Sequence, residues 1–135
     1  MSKKKIRKKA KKVYQYTWAF EPFEEEDDFF TKKMFGCLAA YCHGKMVMLL
    51  AENPGDREYR GNKFDFDIWN GVLFPTEYEY QDKITKKYKN LIQHPVLKKW
   101  LYLPHDSNHF ENDVNRIGKE IQKNNKHFGI YPKVD

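Results

Sequence analysis

The chain has 135 residues, 40% hydrophobic and 16% aromatic, with 25 Lys and Arg against 19 Asp and Glu for a net charge of +6. That length suits one domain with a core of Phe, Tyr and Trp, and the absence of an apolar run of about 20 residues excludes a transmembrane helix. The charged N-terminus has no apolar stretch behind it and does not read as a secretory signal, so a cytoplasmic location is expected.

Residues 1–12, MSKKKIRKKAKK, carry eight basic residues and no acid, while the rest of the chain carries 17 basic and 19 acidic. The basic character therefore belongs to the tail. Like charges repel and there is little to bury, so residues 1–12 are expected to be a disordered basic tail preceding a single domain over 13–135. Lys3, Lys4, Lys5, Arg7, Lys8, Lys9, Lys11 and Lys12 are the candidate polyanion contacts.

Next, VYQYTWAF (13–20) places Tyr14, Tyr16, Trp18 and Phe20 at every second position. It reads as a strand or extended arm with one aromatic face, ended by Pro22. FEEEDDFFT (23–31) reads as a charged link or short helical turn. In MFGCLAAYCHGKMVMLLA (34–51), two apolar runs meet at His43-Gly44, a strong hairpin signal. Met34, Leu38 and Ala40 are expected on one face, with Phe35, Cys37 and Tyr41 on the other. Val47 and Leu49 are expected to alternate with Met46, Met48 and Leu50. Both faces are apolar, so this hairpin should be buried on both sides.

A loop with Pro54-Gly55 and Gly61 follows. FDFDIWNGVLF (64–74) reads as a strand with a bulge at Asn70-Gly71, stopped by Pro75. Thr76 with Glu79 matches a capping box opening a helix with Tyr80, Ile84, Tyr88 and Leu91 on one stripe. A strand is expected around Trp100–Leu103. Asn108 with Glu111 is a second capping box, opening a helix striped by Phe110, Val114, Ile117 and Ile121. The terminal GIYPKVD reads as a short strand or tail. Hairpins followed by helices give an α+β fold with a mainly antiparallel sheet and helices on one face. The aromatic arm is the expected cover for the other face; a second copy of the chain, making a homodimer, is the alternative.

Cys37 and Cys42 lie five apart, roughly 16 Å along one strand and on opposite faces, too far for a disulfide. Cys42-His43 are neighbours, but successive strand side chains diverge, so a nucleophilic pair is not expected. Cys37, Cys42 and His43 lack the usual spacing of a tetrahedral metal site, and a helix starting near Asn108 leaves His105 off the face of His109. Asp65 and Asp67 would face the same way on a strand, and read as solvated acids of an amphipathic edge. No phosphate-binding glycine loop is present. The expectation is therefore no catalytic residue, no cofactor and no metal.

KKMFGCLAAYCHGKMVMLLAEN (32–53) resembles the signature hairpin of the TfoX/Sxy N-terminal domain: Met34, Phe35 and Gly36 match its opening, and Tyr41, Gly44 and Met46 match the hairpin. WNGVLFPTE (69–77) and HPVLKKWLYLP (94–104) are similar to an uncharacterised bacterial branch of that family. The resemblance covers roughly residues 30–130. It implies a secretion-chaperone-like order, α-β-β-β-α-β-β-α. It also implies a regulatory domain acting with other regulators, in a family linked to DNA-uptake competence, with no enzymatic chemistry attributed to it.

The expected function is a non-enzymatic regulatory or protein-interaction module with an unidentified protein partner, met through the arm or an open sheet edge. The alternative is an accessory nucleic-acid-binding protein acting non-specifically through the tail. If all eight basic residues met phosphates, retention on DNA would fall with salt at a log–log slope of about −7. Binding measured across salt concentrations, with and without residues 1–12, checks this; equal retention by the truncated chain would refute it.

Overall fold

The computed structural model describes residues 12–132. Six strands form one antiparallel sheet: β1 (Phe30–Met34), β2 (Cys37–Cys42), β3 (Lys45–Glu52), β6 (Asn70–Pro75), β7 (Ile92–Gln93) and β8 (Trp100–Pro104). Their spatial order is β1-β2-β3-β6-β8-β7. β4 (Glu58–Tyr59) and β5 (Asn62–Lys63) make a separate small hairpin in the loop between β3 and β6. The helices are α1 (Gln81–Lys87) and α2 (Phe110–Gln122), and Thr17–Phe20 forms a 3-10 turn.

Three two-residue turns set the hairpins: Phe35-Gly36, His43-Gly44 and Arg60-Gly61. In each, both residues have positive φ: 54° and 74°, 57° and 75°, 51° and 83°. That is the requirement of a type I′ turn, whose twist matches the flanking strands. β2 and β3 are buried on both faces, as their composition demands. Ala40, Cys42, Met48 and Leu50 join one core layer, and Cys37, Ala39, Tyr41, Leu49 and Ala51 the other.

The alternation slips once. The β2–β3 register shifts between Ala40 and Tyr41, which leaves Val47 without an opposite residue. Val47 then shares a layer with Met48 and Leu50, not with Leu49. A bulge of this kind cannot be read from a run in which every residue is apolar. Met34 also changes side and packs with Cys37 and Tyr41, because the Phe35-Gly36 turn separates it from Leu38 and Ala40.

The first layer is closed by both helices. Ile84 of α1, together with Tyr88 and Leu91 beyond it, and Val114, Ile117 and Ile121 of α2 are buried against Val72, Phe74, Leu101 and Leu103. Neither capping box forms. Thr76 Oγ1 donates to the His127 carbonyl at 2.5 Å, and the residue before α2 is His109, which makes no side-chain cap bond.

The arm is neither a strand nor a cover for the second face. Ala19 N–H donates to the Tyr16 carbonyl (2.9 Å), winding the segment into the 3-10 turn. Ala19, Phe20 and Phe23 are buried in the helix-side layer. Tyr16 and Trp18 rest on Phe110 of α2, with ring centroids 5.4 and 6.1 Å away. The Glu52 carboxylate holds the entry by accepting the backbone N–H of Gln15 (2.6 Å) and Tyr16 (2.8 Å).

The strand read at 64–74 begins only at Asn70. The ladders to β3 and β8 run unbroken through Gly71, so no bulge is present there. Flat passage through Gly71 needs the absence of a side chain, since a Cβ would run into the Leu103 carbonyl oxygen and approach Pro104 Cα at 3.0 Å. The implied secretion-chaperone-like order differs in two places: a 3-10 turn stands where an opening helix was expected, and a fourth sheet strand, β6, precedes α1. Among the described residues no helix is long and apolar enough to cross a membrane.

Because Phe20 is 3% exposed and part of the core, Phe20→Ala is expected to cost about 3–5 kcal/mol. Urea unfolding checks it; a change near zero would mean that the arm lies loosely on α2.

Candidate functional site: an aromatic groove on the second face

Among the described residues, neither α1 nor α2 contributes to the second core layer. Phe66 and Trp69 from the β5–β6 segment and Leu97 from the β7–β8 loop pack on it. Ile130 pairs alongside β3 in the plane of the sheet, exchanging backbone bonds with Met46 (2.8 and 3.0 Å), and packs its side chain on this layer. Beyond these covers the sheet stays open as a groove of about 690 Å³. Tyr41, Met46 and Trp100 line it from the strands, the Met34-Phe35 corner forms one wall, and Tyr131-Pro132 the other. Polar groups, from Thr76, Glu77 and Lys99, are few.

Three rings of this groove stand in water: Phe35 and Tyr131 are each 67% exposed and Tyr78 65%. Tyr41 is held flat by Phe30 of the edge strand, stacked at 4.5 Å. Lys45 braces the far wall: its Nζ donates to the Phe128 carbonyl (3.0 Å) and lies 5.9 Å from the Tyr131 ring. Burial draws this amine below the ordinary lysine range. Such a surface offers exposed aromatic rings and few polar groups.

Of the two strand acids, only Asp65 is exposed. Asp67 is buried, because residues 64–69 are loop and not strand. Its Oδ1 accepts from Arg57 Nε at 2.8 Å, and His105 Nε2 lies 3.9 Å from Oδ2. The Arg57 bond holds its carboxyl below the usual aspartate range. Around it, the Tyr102 hydroxyl donates to the Asp67 carbonyl (2.6 Å) and accepts from Asn70 N–H (2.8 Å). His94 Nε2 lies 2.6 Å from the Ile68 carbonyl, while its Nδ1 accepts the N–H groups of Val96 and Leu97, each at 3.0 Å. These bonds fasten the loop over the second layer, and every polar group named has a partner.

Cys37 and Cys42 are buried, unbridged and in opposite layers. Burial pushes both thiols up to about 11, which removes the thiolate a nucleophile needs. The turn does bring Cys42 and His43 together, with Asp28 as a third neighbour. Of the basic candidates, Lys3, Lys4, Lys5, Arg7, Lys8, Lys9 and Lys11 lie outside the described residues. Lys12 is placed at the base of the arm, where its Nζ donates to Asn53 Oδ1 (2.6 Å) and lies 5.1 Å from the Tyr14 ring.

No family model, no curated protein and no solved structure matches this chain. The groove was missed in the sequence because its rings come from segments as distant as Phe35, Tyr78 and Tyr131. The available signal was the hairpin apolar on both faces, which demanded more cover than two helices supply.

His94 gives the pH test. Its ring is 0% exposed and its Nδ1 faces two N–H donors, so burial holds its pKa down to about 4. An unfolded histidine takes a proton near pH 6.5, so the unfolded chain binds more protons below that value and stability falls with pH. The expected loss between pH 6.5 and 4 is about 3 kcal/mol from this residue. Chemical unfolding at stepped pH should show this slope, flattened in His94→Gln; an unchanged slope would refute the assignment.

Proposed function

We propose that this chain is a non-enzymatic protein-interaction module of regulatory type, resembling TfoX/Sxy N-terminal domains, that receives an apolar segment of a protein partner in the groove across its second face. The observation that carries this reading is the exposure of Phe35, Tyr78 and Tyr131 around an otherwise formed groove. Aromatic anchors around a desolvated centre are the usual source of binding energy at protein contacts. The arm is committed to the core, the β1 edge carries Lys32 and Lys33, charges that discourage strand addition, and the opposite edge, β7, is only two residues long. That leaves the groove as the contact. Two buried reduced thiols fit a cytoplasmic setting. The competing reading, a nucleic-acid accessory, rests on the charge of residues 1–12 alone.

Phe35→Asp/Tyr131→Asp tests the proposal, since both side chains are largely in water and their replacement leaves the core intact. Affinity capture with the full chain should recover a partner that this variant loses by at least tenfold, with melting unchanged. If sedimentation instead shows a dimer that the variant dissolves, the partner is a second copy. Equal capture by both forms, or turnover of a metabolite panel by the purified protein, would overturn the reading.

A further inference from the structure

The β2–β3 turn assembles a donor set that the sequence spacing concealed. One ligand atom each from Asp28, Cys42 and His43 lies within 4.8 Å of the others. The left-handed backbone of His43 (φ 57°) makes this convergence. On a continuing strand its ring would leave on the face opposite Cys42. Asp28 arrives from the loop before β1, anchored by the N–H groups of His43 (3.0 Å) and Gly44 (2.9 Å) on its two oxygens. Each oxygen retains a lone pair for a further contact.

The ring of His43 carries the independent sign. Its Nε2 lies 2.9 Å from the Gln122 carbonyl, at the end of α2. A carbonyl can only accept, so Nε2 is the donor in this contact, which leaves Nδ1 as the nitrogen available to a metal ion. Backbone-carbonyl support of one ring nitrogen is the arrangement that orients metal-binding histidines.

We propose that Asp28, Cys42 and His43 form a binding site for one zinc-class transition-metal ion. A thiolate, an imidazole and a carboxylate select such an ion over magnesium or calcium. Ligands on a tetrahedral ion at 2.0–2.3 Å stand about 3.5 Å apart, so donors within 4.8 Å of one another need to close by no more than about an ångström on binding. The Cys42 S–H bond breaks as the sulfur–metal bond forms, and its proton goes to solvent. Nothing is oxidised or reduced. The fourth position falls to water. The ion would join the β1 approach and the β2–β3 turn directly, and the end of α2 through Gln122. This goes beyond the interaction reading and does not depend on the groove.

Zinc and cobalt titrations of the reduced full chain test it. One equivalent of zinc is expected to bind with proton release, and affinity should rise about tenfold per pH unit between pH 6 and 8. Cobalt should give a thiolate charge-transfer band that Cys37→Ala keeps and Cys42→Ala loses. His43→Asn, a residue that tolerates the left-handed conformation, should weaken zinc binding at least tenfold; it carries the test should Cys42→Ala fail to fold. Absence of the band, its survival in Cys42→Ala, or wild-type affinity in His43→Asn would overturn the proposal.

Discussion

Every residue of β6, and every residue of β3 but the last, is buried. Lateral pairing satisfies the backbone of these central strands, but their side chains point both ways and each side requires a cover. At about 25 cal/mol per Å² of apolar surface, an uncovered sheet face would forfeit much of the stability a domain of this size has. The chain meets the demand unevenly. Both helices and the arm go to one side, while the other is covered by loop residues and the Ile130 side chain. The groove is what that uneven cover leaves.

A roof made of loops needs fastening, and buried polar groups do it. Tyr102 stands in the second layer, fully buried, with its hydroxyl between the Asp67 carbonyl and the Asn70 N–H. His94 joins the Ile68 carbonyl to the turn at Val96-Leu97. Away from water such bonds are strong when complete and costly when broken. They give irregular chain the definition that a helix draws from its own hydrogen bonds. Asp67, which reads from the sequence as a solvated acid, belongs to this fastening through its backbone carbonyl and its bond to Arg57.

Periodicity made some of this legible beforehand. The His43-Gly44 hairpin, the doubly buried strands, the α2 stripe of Val114, Ile117 and Ile121, and the opposite facing of the two cysteines follow from local pattern. What failed to show depended on distant partners. The alternation of Tyr14, Tyr16, Trp18 and Phe20 imitates a strand, yet bulky rings near α2 are buried just as well by a 3-10 turn. Asp67 looked solvated because its partner, Arg57, comes ten residues earlier, on the other side of the small β4–β5 hairpin. Asp28 carried no signal, since it binds the backbone of a turn fifteen and sixteen residues on. Phe35-Gly36 passed as strand because a bulky residue at positive φ is uncommon in tight turns.

Gly71 has a meaning for ancestry. Its strand presses so closely on the Leu103 carbonyl that even a methyl group finds no room. Divergence can exchange one core hydrophobe for another of similar volume, but it has no substitute here short of spreading β6 from β8. A chain descended from the same ancestor should therefore keep a hydrogen as the side chain at this point long after its surface has become unrecognisable.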